Sequence, residues 1–166
     1  MGREQPISRN ALFVEWLENV QDPITADYIK DFVIGQMEWF GRESVKCKKR
    51  YKNWMLVSII ISGLIPVASV FADGTLVMKV IIAALGSATT AVSAYLHLQS
   101  YQELWGNYRY NREYLHSILC SYFIKTGVFA NCTDQEARDK LLVETCEDFF
   151  RKEVEVWKGR LDKKQS

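Results

Sequence analysis

Two long, uninterrupted runs of apolar and small residues dominate the hydrophobic pattern of the chain. The first run, Trp54–Ala72, and the second run, Val80–Leu98, each contain nineteen residues and no Asp, Glu, Lys or Arg. A helix of that length covers about 28 Å, close to the roughly 30 Å hydrocarbon thickness of a bilayer. Because both runs are apolar or small on every side, they are typical of membrane-spanning helices rather than of surface helices. The rest of a 166-residue chain offers too little apolar mass to bury two such helices.

The connection between the two runs, residues 73–79, is short, so the spans are predicted to be antiparallel neighbours with both termini on one side. Basic residues are concentrated just before the first run, whereas the connection contains only Lys79. The positive-inside rule therefore predicts a multi-pass protein of the cell inner (plasma) membrane with both termini in the cytoplasm. The basic residues expected at the membrane interface are Lys46, Lys48, Lys49, Arg50 and Lys52. The aromatic residues expected beside them are Trp54, Tyr95, Tyr101 and Trp105.

Both flanks of the spans show helical spacing of apolar residues. Before the spans, Asp22-Pro23 separates a first predicted helix from a second that starts near Thr25. After them, the helical period continues toward Lys125, and a last helix is predicted from a capping box at Thr133–Glu136. The prediction is an all-α membrane protein with a two-helix transmembrane hairpin and a helical cytoplasmic domain, the second span continuing as a long cytoplasmic helix. Its predicted parts are N-terminal cytoplasmic helices (1–53), the hairpin (54–98, with spans 54–72 and 80–98) and C-terminal cytoplasmic helices (99–166).

Charge and composition exclude several classes of function. The chain has 21 Lys and Arg against 20 Asp and Glu, a formal net charge of +1, so nucleic acid is not an expected partner. No phosphate-binding glycine loop, nucleophile motif or metal-ligand spacing occurs, and the two histidines, His97 and His116, are far apart. We therefore expect no enzymatic activity, no cofactor and no metal. The four cysteines form no C-x-x-C pair and are expected to be reduced thiols: Cys47, Cys120, Cys132 and Cys146.

Small and polar residues recur at helical spacing inside both spans. In the second span they form the candidate pore-lining stripe Ala83, Ser87, Thr90, Ala94, His97 and Tyr101. In the first span they are Ser58, Ser62, Pro66 and Ser69. Such stripes either pack the hairpin and its oligomer seam, or line a water-filled pore surrounded by several subunits. Pro66 predicts a kink in the first span, and Asp73 is either an outer-mouth carboxylate that favours cations or a solvated turn residue.

Several motifs occur in an order that resembles a known family. Tyr28-Ile29 followed by Gln36 and Trp39-Phe40 resembles the "YI…R…Q…WY" signature of a bacterial two-transmembrane family of unknown function related to SLATT domains (SMODS- and SLOG-associating two-transmembrane effectors). Further matching segments are Ile65-Pro66, Ala83–Gly86, Gln102–Trp105, Tyr108-Arg109 and Glu113–Leu115. The resemblance covers roughly residues 22–155. The chain departs from the family signature at one point, because it has no arginine between Tyr28 and Gln36.

The resemblance implies pore formation as an effector in a bacterial conflict system. The chain has no recognisable sensor domain, so a trigger would come from a separate sensor protein, a small ligand or an ion. Our leading hypothesis is a homo-oligomeric ion channel, for cations rather than anions, whose partners are the lipid bilayer, the permeating ions and further copies of the chain. The alternative is a membrane-anchored interaction or scaffold module without a pore.

Overall fold

The computed structural model of the protein describes residues 9–18, 20–71 and 76–165. Across these ranges the chain is helical and contains no strand, which confirms the all-α prediction. The elements are α1 (Arg9–Leu17), α2 (Pro23–Asp27), a π-helix (Tyr28–Ile34), α3 (Gly35–Val70), α4 (Leu76–Gln99), α5 (Tyr101–Ile124), a 3₁₀ turn (Gly127–Phe129) and α6 (Gln135–Gln165).

The helix predicted near Thr25 begins at Pro23, directly after the predicted break. The carboxylate of Asp22 accepts hydrogen bonds from the backbone N–H of Ile24, at 3.4 Å, and of Thr25, at 3.0 Å. Hydrogen bonds from Thr25 lower the pKa of Asp22, because they stabilise its charged form. Proline fits the first turn since its missing N–H would have no partner there. A capping aspartate and a proline at the first position therefore define this start.

The start of α6 differs by one residue from the predicted capping box. Asp134, not Thr133, is the capping residue, because its side chain accepts the backbone N–H of Ala137 at 2.7 Å. Threonine and aspartate can both cap a helix. The spacing of the capping box to Glu136 favoured Thr133, but Asp134 caps the helix.

Two helix ends contain a non-glycine residue in the left-handed region. At the end of α5, Lys125 has φ 60, and the backbone N–H of Thr126 reaches back to Ser121 O at 2.9 Å. At the end of α4, Ser100 has φ 47, and its N–H bonds His97 O at 3.3 Å. The second span, predicted to continue as a long helix, is interrupted at Ser100, and the helix resumes at once as α5.

Helix α4 begins at Leu76, so the residues just before the predicted second span, Leu76–Lys79, are also helical. Asp73, the candidate outer-mouth carboxylate, lies outside the described residues.

One compact unit combines the described residues up to Trp39 with those from Asn111 onward. Its core brings together side chains from α1, the π-helix, the start of α3, α5, the 3₁₀ turn and α6. Among the described residues, nine core side chains are less than 2% exposed: Phe13, Ile29, Val33, Met37, Leu115, Leu119, Phe129, Leu142 and Cys146. The N-terminal and C-terminal flanks of the spans thus fold together.

A polar cluster lies at the edge of this core. The Tyr122 hydroxyl donates to Asp139 Oδ1 at 2.5 Å, and Gln135 Nε2 donates to the same carboxylate oxygen at 2.6 Å. Burial raises the pKa of Tyr122, and the Asp139 carboxylate raises it further. The cluster fixes the first turns of α6 against α5 within this unit.

Candidate functional site on the apolar helix pair

The second compact unit, Phe40–Tyr110, contains the two apolar runs. Each run lies in a helix that is long and apolar enough to cross a membrane, and none of the residues in either apolar window is buried by the chain. The core helices of a soluble protein are mostly buried, whereas these side chains are left for lipid or another chain to cover. The structure thus confirms two helices capable of spanning a membrane.

The chain partly covers one side of each helix in this pair. On α3 the half-buried residues within the span recur every three or four positions: Ser58, Ile61, Ile65 and Ala68. On α4 the half-buried residues of the span are Ile82, Leu85, Gly86, Ala88, Thr89, Val92, Ser93 and Leu96. Most of them recur at helical spacing, so one side of each helix is partly covered, as expected for a hairpin.

Most of the predicted pore-lining stripe lies away from that covered side. Ala83, Ser87, Thr90, Ala94 and His97 are all exposed in the single chain. They share one face of α4, so the stripe does not pack the hairpin itself.

Tyr101 is separated from the other members of the stripe. It is only 8% exposed, and its hydroxyl lies 3.2 Å from the hydroxyl of Tyr95. It follows the left-handed residue Ser100, which interrupts the helical register on which the sequence pattern relied.

The hydroxyl groups of the exposed stripe donate to their own helix. Ser87 Oγ donates to Ala83 O at 2.9 Å, and Thr90 Oγ1 donates to Gly86 O at 3.0 Å. Such bonds satisfy the hydroxyl proton without a partner from outside. The face is therefore compatible with lipid, with a neighbouring helix and with water.

On the polar side of α3, serine hydroxyls also donate hydrogen bonds to backbone carbonyls of their own helix. Ser62 Oγ donates to Ser58 O at 2.6 Å, and Ser69 Oγ donates to Pro66 O at 2.7 Å. Pro66 lies inside α3, which continues to Val70. The kink predicted at Pro66 remains a prediction.

Aromatic and basic residues lie where α3 leads into the first apolar run and where α4 leaves the second. The rings of Trp54 and Tyr95 have centroids 5.3 Å apart, and Lys48 Nζ lies 5.2 Å from the ring centroid of Trp105. Lys46 pairs with Glu43 at 2.6 Å. The remaining members of the predicted basic group, all exposed, are Lys49, Arg50 and Lys52. These contacts bring some of the predicted interface residues together, and their place at a membrane interface stays a prediction.

An open groove of about 640 Å³ is lined by α3, α4 and the start of α5. Its polar lining includes His97 and Glu103, and Tyr51 lines it from α3. Glu103 was not predicted as a site residue, because the helical period gives no sign of the break at Ser100. Within the described residues, no group of three or more His, Cys, Asp or Glu side chains could hold a metal ion.

Comparison with known proteins gave one match. The model of a family described as a protein of unknown function (DUF4231) matches residues 35–137, which comprise all of α3, α4 and α5 and the start of α6. No curated protein and no solved structure matched the chain significantly.

Proposed function

The chain belongs to the DUF4231 family of proteins of unknown function, and from its own residues we propose that it is a homo-oligomeric, pore-forming membrane protein that conducts ions. The observation that carries the proposal is the exposed face of α4, in which small and hydroxyl residues replace the bulky apolar side chains that lipid favours. Two helices cannot enclose a water path, so several copies must surround one axis.

The chemistry of the exposed face supports a lining role. Ala83, Ser87, Thr90 and Ala94 are small, so α4 helices from neighbouring copies can approach closely without filling the axis between them. His97 adds a polar group at the end of the face that adjoins the groove. By contrast, the exposed part of α3 presents large apolar residues such as Ile60 and Leu64, which suit lipid.

Flux through liposomes tests the proposal. The purified oligomer is reconstituted, and cation efflux is measured under varied Ca²⁺, pH and voltage. Thr90→Lys and Ser87→Lys are expected to abolish the flux, because a long cationic side chain would occupy the lining. Ile60→Leu on the lipid-suited face is expected to leave it unchanged.

A cysteine scan provides a matched control for misfolding. In Thr90→Cys, a water-soluble, charged thiol reagent should reduce an existing flux severalfold, whereas Ile60→Cys should be insensitive because a thiol in hydrocarbon stays protonated. Equal sensitivity at both positions would remove the assignment of the lining face. A complete lack of conductance under all conditions would remove the channel proposal.

The biological role can be proposed one step further. The order of motifs around the two spans resembles that of a bacterial two-transmembrane family related to SLATT domains, and this resemblance supports an effector role in a bacterial conflict system. In that role a separate sensor protein, a small ligand or an ion would supply the trigger.

A second candidate function is a membrane-anchored interaction module without a pore. The observation that favours it is that the Ser87 and Thr90 hydroxyls donate hydrogen bonds to backbone carbonyls of their own helix. Because these protons are already bonded, the face can lie in lipid at little cost in free energy. If the helix pair only anchors the chain, exchanging residues 54–98 for an unrelated apolar hairpin should preserve function. Loss of function in that chimaera, with the helical unit still folded, would favour the channel.

A further inference from the structure

The second half of α6 carries an apolar stripe that the chain leaves open. Up to Phe149 the helix is packed, since Leu142 and Cys146 are fully buried. From Phe150 the apolar residues continue at intervals of four and three, through Val154 and Trp157. Phe150 still contacts Phe32, with ring centroids 5.1 Å apart, but Val154 is 54% exposed and Trp157 is 39% exposed.

The spacing of this stripe is that of a coiled coil. Phe150, Val154 and Trp157 occupy alternating core positions of a heptad, and Leu161 continues the series in the sequence. The helix backbone runs on to Gln165, so the stripe lies wholly within one helix. A helix seam of this kind is covered by another helix that bears the same spacing.

The charges beside the stripe complement those of a second copy of the chain. In this register Glu153 and Lys158 fall at the g and e positions, which face each other across a parallel pair of identical helices. Each pair of copies would therefore form two Glu153–Lys158 contacts. In an antiparallel pair Arg151 would instead face Lys158. The repulsion between these like charges would offset the attraction between opposite charges on the other edge of the coiled coil.

We propose that residues 150–161 of α6 form a parallel coiled coil with the same segment of a second copy. The proposal deepens the homo-oligomer that the proposed function requires, but it does not depend on ion conduction. Twelve residues are about 18 Å of helix, less than two heptads, so the contact is too short to hold dilute chains together. It acts between copies already held side by side in one bilayer, where their effective concentration is high.

Disulfide trapping in membranes tests the contact. Val154→Cys places a thiol in the seam, where the Cα atoms of two parallel copies lie within the roughly 7 Å that a disulfide can bridge. The matched control is Lys152→Cys, on the exposed, outward side of the same helix. Mild oxidation of membranes is expected to give at least about fivefold more cross-linked dimer for Val154→Cys than for the control or the parent chain. Equal cross-linking of the three chains would overturn the proposal.

Charge exchange in the Val154→Cys background then tests orientation and partner. Glu153→Lys and Lys158→Glu are each expected to lower the cross-linked fraction about two- to fivefold, and the double variant is expected to restore it. A double variant no better than either single one would overturn the parallel pairing. Because cross-linking is read without any flux, failure here and failure of conduction are separate results.

Discussion

Burial determines the chemistry of Cys146. Its side chain is fully buried against the core of the helical unit. Burial, with a smaller contribution from the Glu147 charge, raises the pKa of its thiol to about 12. The folded chain therefore keeps a proton that the unfolded chain releases near pH 8.5. The contribution of Cys146 to the free energy of unfolding is therefore complete below that pH, and it declines as the pH rises from there toward 12.

We expect Cys146 to resist alkylation in the folded protein. At pH 8 a maleimide should label the half-exposed Cys132 at least about tenfold faster than Cys146, because only a thiolate within reach of solvent reacts. Peptide mass spectrometry after timed quenching measures the two rates. In denaturant the two rates should converge, and equal rates in the native state would contradict the burial described for Cys146.

The helix ends show what the sequence could and could not predict at the level of elements. The break at Asp22-Pro23 and the two apolar helices follow from local chemistry, and the structure confirms them. The interruption at Ser100 could not be predicted, because the helical period continues across it and serine has no strong preference for a left-handed backbone. The π-helix likewise has no sequence signal, since its buried Ile29 and Val33 fit a helical stripe of either kind.

The exposed face of α4 was only half predictable. Spacing placed Ser87 and Thr90 on one stripe with Tyr101, and the first two do lie together. Which side of the helix the chain covers depends on its packing with α3, and periodicity gives no information about that choice. For the same reason, sequence could not assign the groove beside His97 and Glu103.

The end of α5 leads to a prediction about a single substitution. Lys125 adopts φ 60 in the position that glycine usually occupies after a helix. A side chain in this region costs about 1 kcal/mol, so Lys125→Gly should stabilise the protein by up to that amount.

The same substitution inside a helix provides the control. Lys152→Gly in α6 should instead destabilise the protein by about 1 kcal/mol, because glycine loses more backbone entropy there. Thermal unfolding in detergent should show melting temperatures displaced in opposite directions, each by about 2–4 °C. Displacements of the same sign would argue against the left-handed conformation of Lys125.

At the scale of the whole molecule, the contrast is between one unit with a closed core and another whose apolar helices are uncovered. The helical unit buries a core of large side chains, whereas the windows of α3 and α4 contain no buried residue. Exposed apolar surface on this scale is not tolerated in water. The two units therefore expose surfaces of different chemistry, as expected if the apolar helices of the second unit lie in a bilayer.

Reporter fusions test the predicted topology. A reporter fused to either terminus should behave as cytoplasmic, and one inserted after Phe71 should behave as external. The expected cause is the basic group before the first span, so neutralising Lys48, Lys49, Arg50 and Lys52 while adding lysines to the connection should increase the inverted population. Termini found on opposite sides would exclude a two-span hairpin.

The hydrogen bonds from hydroxyls to backbone carbonyls within α4 affect which ions the proposed pore would favour. A hydroxyl whose proton is committed to a backbone carbonyl, as in Ser87 and Thr90, presents only oxygen lone pairs to its surroundings. A ring of such oxygens resembles the carbonyl rings that replace the hydration shell of a cation, and it gives an anion no proton to bind. In the proposed pore, discrimination by charge would thus begin along the wall of the membrane segment itself, without any ionised side chain.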